Sequence, residues 1–163
     1  MTTLVRSLLL LSYALLWGGL TFYTGFVVRI IHDVVVDPMY GGMITQRVTF
    51  VLQTFGCIAT VLMLWNAFQI RRACKKYAVA LALCAITLGG AVAGLAVVHS
   101  HLDAVIDVEA VEIIDRDAFT IGHRRYNQLT TIEWIASLIY LPVTVAAWRK
   151  VDRTVGVEVE NDL

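Results

Sequence analysis

Among the 163 residues, the groups best suited to chemistry are four histidines and one glutamate set in apolar sequence. His99-Ser100-His101 is followed by Asp103, His32 by Asp33, and His123 opens a polar stretch that leads to Glu133. Imidazole and carboxylate groups of this kind bind zinc, copper or iron. A transition-metal site drawn from His99, His101, His123, His32 and Glu133 is therefore one expectation. The spacing is not a recognised ligand pattern. Histidines at i and i+2 do not share a helix face, so His99 and His101 could meet one ion only where their helix has already ended. Haem is the lesser alternative, because it needs two imidazoles opposed across helices, His32 with His99 or with His123. The plainer alternative is that the histidines are tolerated at a membrane interface.

Glu133 poses a sharper problem. If the chain from Gly122 onward is helical, His123, Asn127 and Thr130 fall at i, i+4 and i+7 along one face, and Tyr126, Thr130 and Glu133 form the adjoining stripe. A carboxylate one or two turns inside a membrane costs about 2.5–3.5 kcal/mol on insertion scales unless it is protonated or paired. Arg29 and Arg47 are the nearest partners in prospect, and with Gln53, Asn127 and Thr130 they make up a predicted polar cluster. The alternative to a ligand site is an interhelical clasp that pins the bundle.

The elements that must position these residues are membrane helices. With 58% hydrophobic residues, mean hydropathy +0.72 and zero formal net charge, the chain is too apolar for an ordinary soluble domain and carries no footprint of a nucleic-acid binder. Apolar runs predict spans at about 8–31, 48–70, 77–98 and 129–148, each long enough to cross roughly 30 Å of hydrocarbon. The first continues through Trp17-Gly18-Gly19 without a small-residue cleavage site and reads as retained. Lys and Arg gather on one side: Arg6, Arg71, Arg72, Lys75, Lys76, Arg149, Lys150 and Arg153. The other side has Arg47, Arg116, Arg124 and Arg125 against Asp33, Asp37, Asp103, Asp107, Glu109, Glu112, Asp115 and Asp117. The distribution predicts both termini in the cytoplasm. The fold expected is an all-α integral membrane four-helix bundle, a single domain, most simply of a bacterial inner membrane. All four histidines then lie at the non-cytoplasmic end.

The outer segment 99–128 contains a mixed stretch, Asp103 to Phe119, that fits a short amphipathic helix, with a pair of short strands as the competing assignment. Asp37-Pro38 and Gly41-Gly42 predict a turn region, and residues 149–163 a polar cytoplasmic tail, frayed beyond Arg153. Gly18-Gly19, Gly25, Gly56, Gly89 and Gly90-x-x-x-Gly94 are small positions that let helices approach closely, and Pro142 predicts a kink. Cys57, Cys74 and Cys84 have no redox or disulfide spacing.

Trp17-Gly18-Gly19-Leu20-Thr21-Phe22, Gly25-Phe26-Val27-Val28 and Gly42-Met43-Ile44-Thr45-Gln46-Arg47 resemble the opening of the transmembrane protein 205-like family, which is distantly similar to the membrane parts of copper-resistance D proteins. Phe119-Thr120-Ile121-Gly122-His123-Arg124-Arg125-Tyr126-Asn127, then Glu133 and Trp148-Arg149, resemble that family's last helix. The resemblance implies the four-helix fold and a membrane location, points towards metal handling, and supplies no catalytic residues. Its motifs match at Gly18, Gly19, Arg47, Phe119, His123 and Asn127.

Three functional classes follow. The first is a non-enzymatic membrane protein that binds a small ligand or metal ion in a polar pocket on the non-cytoplasmic side. The second is an accessory or scaffolding subunit of a larger membrane complex, or a homo-oligomer, held by the same polar residues. A haem protein or membrane enzyme comes last.

Overall fold

A computed structural model describes residues 3–107 and 112–161. Val108, Glu109 and Val111 of the mixed outer stretch lie outside the described residues. Four rods are built from five α-helices: α1 (Thr3–Phe22), which passes through a π-helical turn at Tyr23–Val27 into α2 (Val28–Val34), then α3 (Pro38–Ile70), α4 (Lys75–Asp103) and α5 (Arg116–Asn161). Each rod contains a stretch long and apolar enough to cross a membrane. Two-residue strands, β1 (Ile106–Asp107) and β2 (Glu112–Ile113), pair antiparallel between α4 and α5. The hairpin and the turn at 35–37 share one end of the bundle, the hairpin end. The chain's first residues, the turn between α3 and α4, and the close of α5 share the other, the termini end.

The helices outrun their predicted spans because polar end turns still satisfy their own backbone. Asp37 caps α3, its Oδ1 accepting from the Met39 amide at 2.9 Å with Pro38 in the first turn. Proline needs no amide partner there. Gly41 and Gly42, expected in a turn, are therefore helical. Asp115 does the same for α5, accepting from the amides of Asp117 and Ala118 at 3.0 and 2.9 Å. The expected amphipathic helix is replaced by the strand pair. The predicted frayed tail continues α5 to Asn161, and α5 also runs unbroken through Pro142.

Buried positions recur at alternating steps of three and four. They are Leu9, Tyr13, Leu16, Leu20 and Tyr23 on the first rod; Ala59, Met63, Asn66 and Ile70 on α3; Ala78, Leu81, Ala85, Leu88, Val92 and Leu95 on α4; and Glu133, Ser137, Tyr140, Thr144 and Ala147 on α5. A mean step of 3.5 is the seam of helices that cross at a shallow angle of roughly 20°. α4 packs between α3 and α5, and α1 leans on α3 and touches α5. The outward faces carry large apolar side chains, among them Leu11, Phe22, Phe50, Val61, Leu83, Ile86 and Ile139. An apolar exterior of this extent around a seam holding Asn, Glu, Ser and Thr is consistent with an integral membrane protein.

Among the glycines, Gly56, Gly89 and Gly94 do sit at close approaches, whereas Gly18, Gly25 and Gly90 face open space with nothing within 4 Å of where a Cβ would be. The π turn adds one residue and rotates the helix beyond it by about 100°. Ile31, not the exposed Ile30, therefore meets Gly41 of α3. The three cysteines are free.

Candidate functional site

Two polar layers cross the seam. In the one nearer the termini end, the side chains of Asn66, Tyr140 and Trp148 are bonded to one another, while the buried Thr144 hydroxyl has no partner. The Asn66 amide donates to the Tyr140 hydroxyl at 2.8 Å and accepts from the Trp148 indole N–H at 3.0 Å, and Tyr140 donates to the Met63 carbonyl at 3.1 Å. These groups tie α3 to α5 across the bundle. The Arg6 guanidinium lies 5.1 Å above the Trp148 ring and is held by both carboxylate oxygens of Asp152 at 2.8 and 2.6 Å, which closes α1 onto α5. Sequence reasoning passed over Asn66, although an amide inside an apolar span is the same signal that marked Glu133.

The layer nearer the hairpin end is incompletely bonded, and Glu133 is its centre. Its residue is 3% exposed, and among the described residues no hydrogen bond or ion pair reaches its carboxylate. The space it occupies exists because α3 carries Gly56: a Cβ there would lie 2.8 Å from Val92 Cγ2 and 3.2 Å from Glu133 Oε1. Two turns towards the hairpin end on α5, the Tyr126 hydroxyl is 3.5 Å from Gln53 Nε2, and Thr49 lies one turn beyond Gln53 on α3. Thr49 is itself buried and donates to the carbonyls of Thr45 and Gln46, each at 3.0 Å. Between Tyr126 and Glu133 lies Thr130, whose hydroxyl is buried without a partner. Tyr23, turned inward at the start of the π turn, donates to the Thr45 carbonyl at 3.3 Å. Trp134 donates to Thr21 at 2.9 Å and stacks on Trp17 at 6.3 Å, which fixes α1 beside this layer.

The expected counter-ions are elsewhere. Arg29 and Arg47 are both exposed, and the ion pairs among the described residues are Arg6–Asp152 and His99–Asp103. The predicted pairing of either arginine with Glu133 is thus corrected: both sit on outward-facing sides of their helices while Glu133 points into the seam. Gln53 and Thr130 of the predicted cluster do join the Glu133 layer. Asn127 does not, being exposed, with its amide 3.5 Å from His123 Nδ1.

The histidines stand apart from one another. His99 is half-buried, with Nε2 3.8 Å from Asp103 Oδ2. His101, two residues on in a helix that continues to Asp103, is exposed. His123 stacks on Phe119 along the outside of α5, and His32 Nδ1 is 2.7 Å from its own helix's Val28 carbonyl. Among the described residues no three His, Cys, Asp or Glu side chains come together where one metal ion could be held.

Chemically, the layer offers the Glu133 carboxylate, the hydroxyls of Thr49, Tyr126 and Thr130, and the Gln53 amide in apolar surroundings. These are oxygen-rich groups suited to a hard cation or a proton rather than to a soft metal. Comparison of the chain with protein-family models, with curated proteins and with solved structures gave no match.

Proposed function

We propose that the chain is an integral protein of a bacterial inner membrane, with both termini in the cytoplasm, that binds a small ligand against Glu133 in the non-cytoplasmic half of the bundle. The apolar exterior supports membrane insertion. The orientation rests on the basic residues at the termini end and the acidic ones at the hairpin end. The resemblance to the transmembrane protein 205-like family is used only as a guide to location.

The observation that carries the ligand reading is a buried glutamate, its residue 3% exposed, with no counter-ion among the described residues, beside a buried hydroxyl with no partner. A structural clasp has its central side chains bonded to one another, as Asn66, Tyr140 and Trp148 are. The ligand is cationic or proton-bearing, because it must neutralise an anion. If it is a metal ion, Glu133 with Gln53, Tyr126 and Thr130 are better placed than His99, His101, His123 and His32.

Trp134 follows Glu133 on α5 and serves as a built-in reporter. Titrating detergent-purified protein with protons, Na⁺, K⁺, Mg²⁺, Zn²⁺ and Cu²⁺ should change tryptophan emission for at least one of them, and Glu133→Gln should abolish the change. Wild-type protein silent to all six would overturn the ligand reading.

A second reading, as accessory subunit or homo-oligomer, draws on an open polar groove of about 430 Å³ along α5 lined by Thr120, His123, Arg124, Asn127, Gln128 and Thr131. It predicts a stoichiometric membrane partner retained in mild detergent, lost on substitution of Arg124 and Asn127.

A further inference from the structure

The two ends of the seam differ in what connects Glu133 to bulk solvent. Towards the hairpin end, polar side chains follow one another. Exposed Asp103 accepts from the Gln46 amide, and the Gln46 carbonyl accepts from Thr49 at 3.0 Å. One turn on from Thr49, Gln53 Nε2 lies 3.5 Å from the Tyr126 hydroxyl, and Thr130, its hydroxyl buried without a partner, stands between Tyr126 and Glu133 on α5. Towards the termini end the next layer is Ala59, Leu88 and Ala136, buried and without a polar side-chain atom. The hydroxyls of Ser137 and Thr60 there are committed to carbonyls of their own helices, Ser137 to Glu133 and Trp134, both at 2.9 Å, and Thr60 to Gly56 at 2.8 Å. Beyond them the Asn66 clasp has each of its side-chain groups engaged.

We propose that Glu133 is a proton-binding site open to the hairpin end alone, reached through the polar column and sealed from the termini end by the Ala59, Leu88 and Ala136 layer. The inference rests on the ligand reading above and names the ligand. The proton is selected by size, since Val92 and the Glu133 carboxylate already crowd the space over Gly56. It is also selected by charge, because it neutralises the carboxylate without bringing ligands of its own.

The titratable groups that face the site are few. α5 contributes Tyr126, and α1 contributes Tyr23, which faces Tyr126 rather than Glu133. α4 contributes His99, two turns beyond Val92, with Asp103 at the mouth. α3 presents only uncharged groups there, Thr49, Gln53 and Gly56, its Arg47 being exposed. Measured along α4, the mouth at Asp103 is 11 residues from Val92, about 17 Å. When the proton leaves, an unpaired anion remains in the seam, so ionisation loosens α3 from α5 at the hairpin end. The protein thereby reads the pH of the compartment that the hairpin end faces.

The test uses full-length protein in sealed vesicles with the pH set separately on each side. Sidedness is assigned by labelling Cys74, in the turn between α3 and α4, with a membrane-impermeant maleimide. Dicyclohexylcarbodiimide, which is lipid-soluble, adds to a protonated carboxyl and not to a carboxylate, so the mass of adduct on the Glu133 peptide counts protonated sites. Adduct should fall by about tenfold per pH unit once the site is mostly ionised, and only when the pH rises on the side opposite Cys74. It should be absent in Glu133→Gln and slowed in Tyr126→Phe.

Adduct that follows the pH on the Cys74 side, or both sides equally, overturns the one-ended access. Adduct independent of pH overturns the proton. In that case an emission response to a metal cation that Glu133→Gln abolishes would leave the ligand reading standing, and the absence of any response would remove both. The sidedness experiment needs only wild-type protein, so misfolding of either variant does not blunt it.

Discussion

Gly56→Ala is the substitution whose outcome follows most directly from the packing around Glu133. The added methyl would lie 2.8 Å from Val92 Cγ2, which is 0.6 Å short of the 3.4 Å where ordinary contact begins, and 3.2 Å from Glu133 Oε1. Valine in a helix holds one strongly preferred χ1, so Val92 cannot swing aside cheaply. Overpacking of this kind costs about 1–3 kcal/mol. Helix propensity works the other way, with alanine favoured over glycine by about 0.8–1.0 kcal/mol. Gly90→Ala is the control for that gain, because nothing lies within 4 Å of a Cβ at Gly90. The difference between the two variants should therefore isolate a steric cost of about 1–3 kcal/mol.

Val92→Ala removes both methyls that crowd the site and should recover about 1 kcal/mol or more of this loss in the double variant, as contacting residues do. Reversible unfolding of micellar protein by increasing fractions of dodecyl sulfate, followed by helical circular dichroism, gives the required differences. Additivity of Gly56→Ala and Val92→Ala within about 0.5 kcal/mol would refute the close approach of α3 to α4 at Glu133.

In the other polar layer, Asn66→Ala and Trp148→Phe should couple by about 0.6–1.7 kcal/mol, the range found for membrane-buried side-chain hydrogen bonds. A double-mutant cycle on the same unfolding assay measures this, and zero coupling would show that the indole and amide do not depend on each other. Asp152→Asn should lower the thermal unfolding temperature at low salt but not at about 1 M salt, where the Debye length is roughly 3 Å. Arg6→Ala should keep part of its loss at high salt, since the guanidinium also lies over the Trp148 ring. Cys74 sits outside the helices, with its thiol pKa lowered chiefly by the Tyr77 backbone amide, which raises its thiolate fraction over that of an ordinary cysteine. In a Cys57→Ala, Cys84→Ala background an impermeant maleimide should label Cys74 from the cytoplasmic side only. Labelling from the opposite side would invert the proposed topology.

Position along the helix axis is legible in this sequence, and position around it much less so. The four apolar runs, the gathering of polar residues near the hairpin end and the depth of Glu133 all follow from where residues fall within a span. The arginine partners fail on azimuth. One residue turns a helix by about 100°, which is enough to put Tyr126 in the seam and Asn127 on the outside. The four histidines share a depth and do not share a face for the same reason, and the π turn shifts the register of the first rod in a way no hydropathy profile records.

The remedy was present in the chain. Aligning the three-and-four steps of small and bulky apolar residues, Ala78-Leu81-Ala85-Leu88-Val92-Leu95 on α4, marks the seam, and the same rule on α5 carries Glu133, Ser137, Tyr140 and Thr144 inward together. Applied to α3 it selects Asn66 and Gly56, one the anchor of the bonded clasp and the other the vacancy into which Glu133 fits. Helix termini were misplaced by a different physics. Asp37 and Asp115 read as loop residues by composition, yet each ends a loop by accepting the first free amides of a helix. A polar residue in this bundle is therefore understood only when both its seam position and its bonding are known. Asn66, bonded to Tyr140 and Trp148, holds the helices together, while Glu133, also buried in the seam but with no partner among the described residues, is the group that the proposed ligand would neutralise.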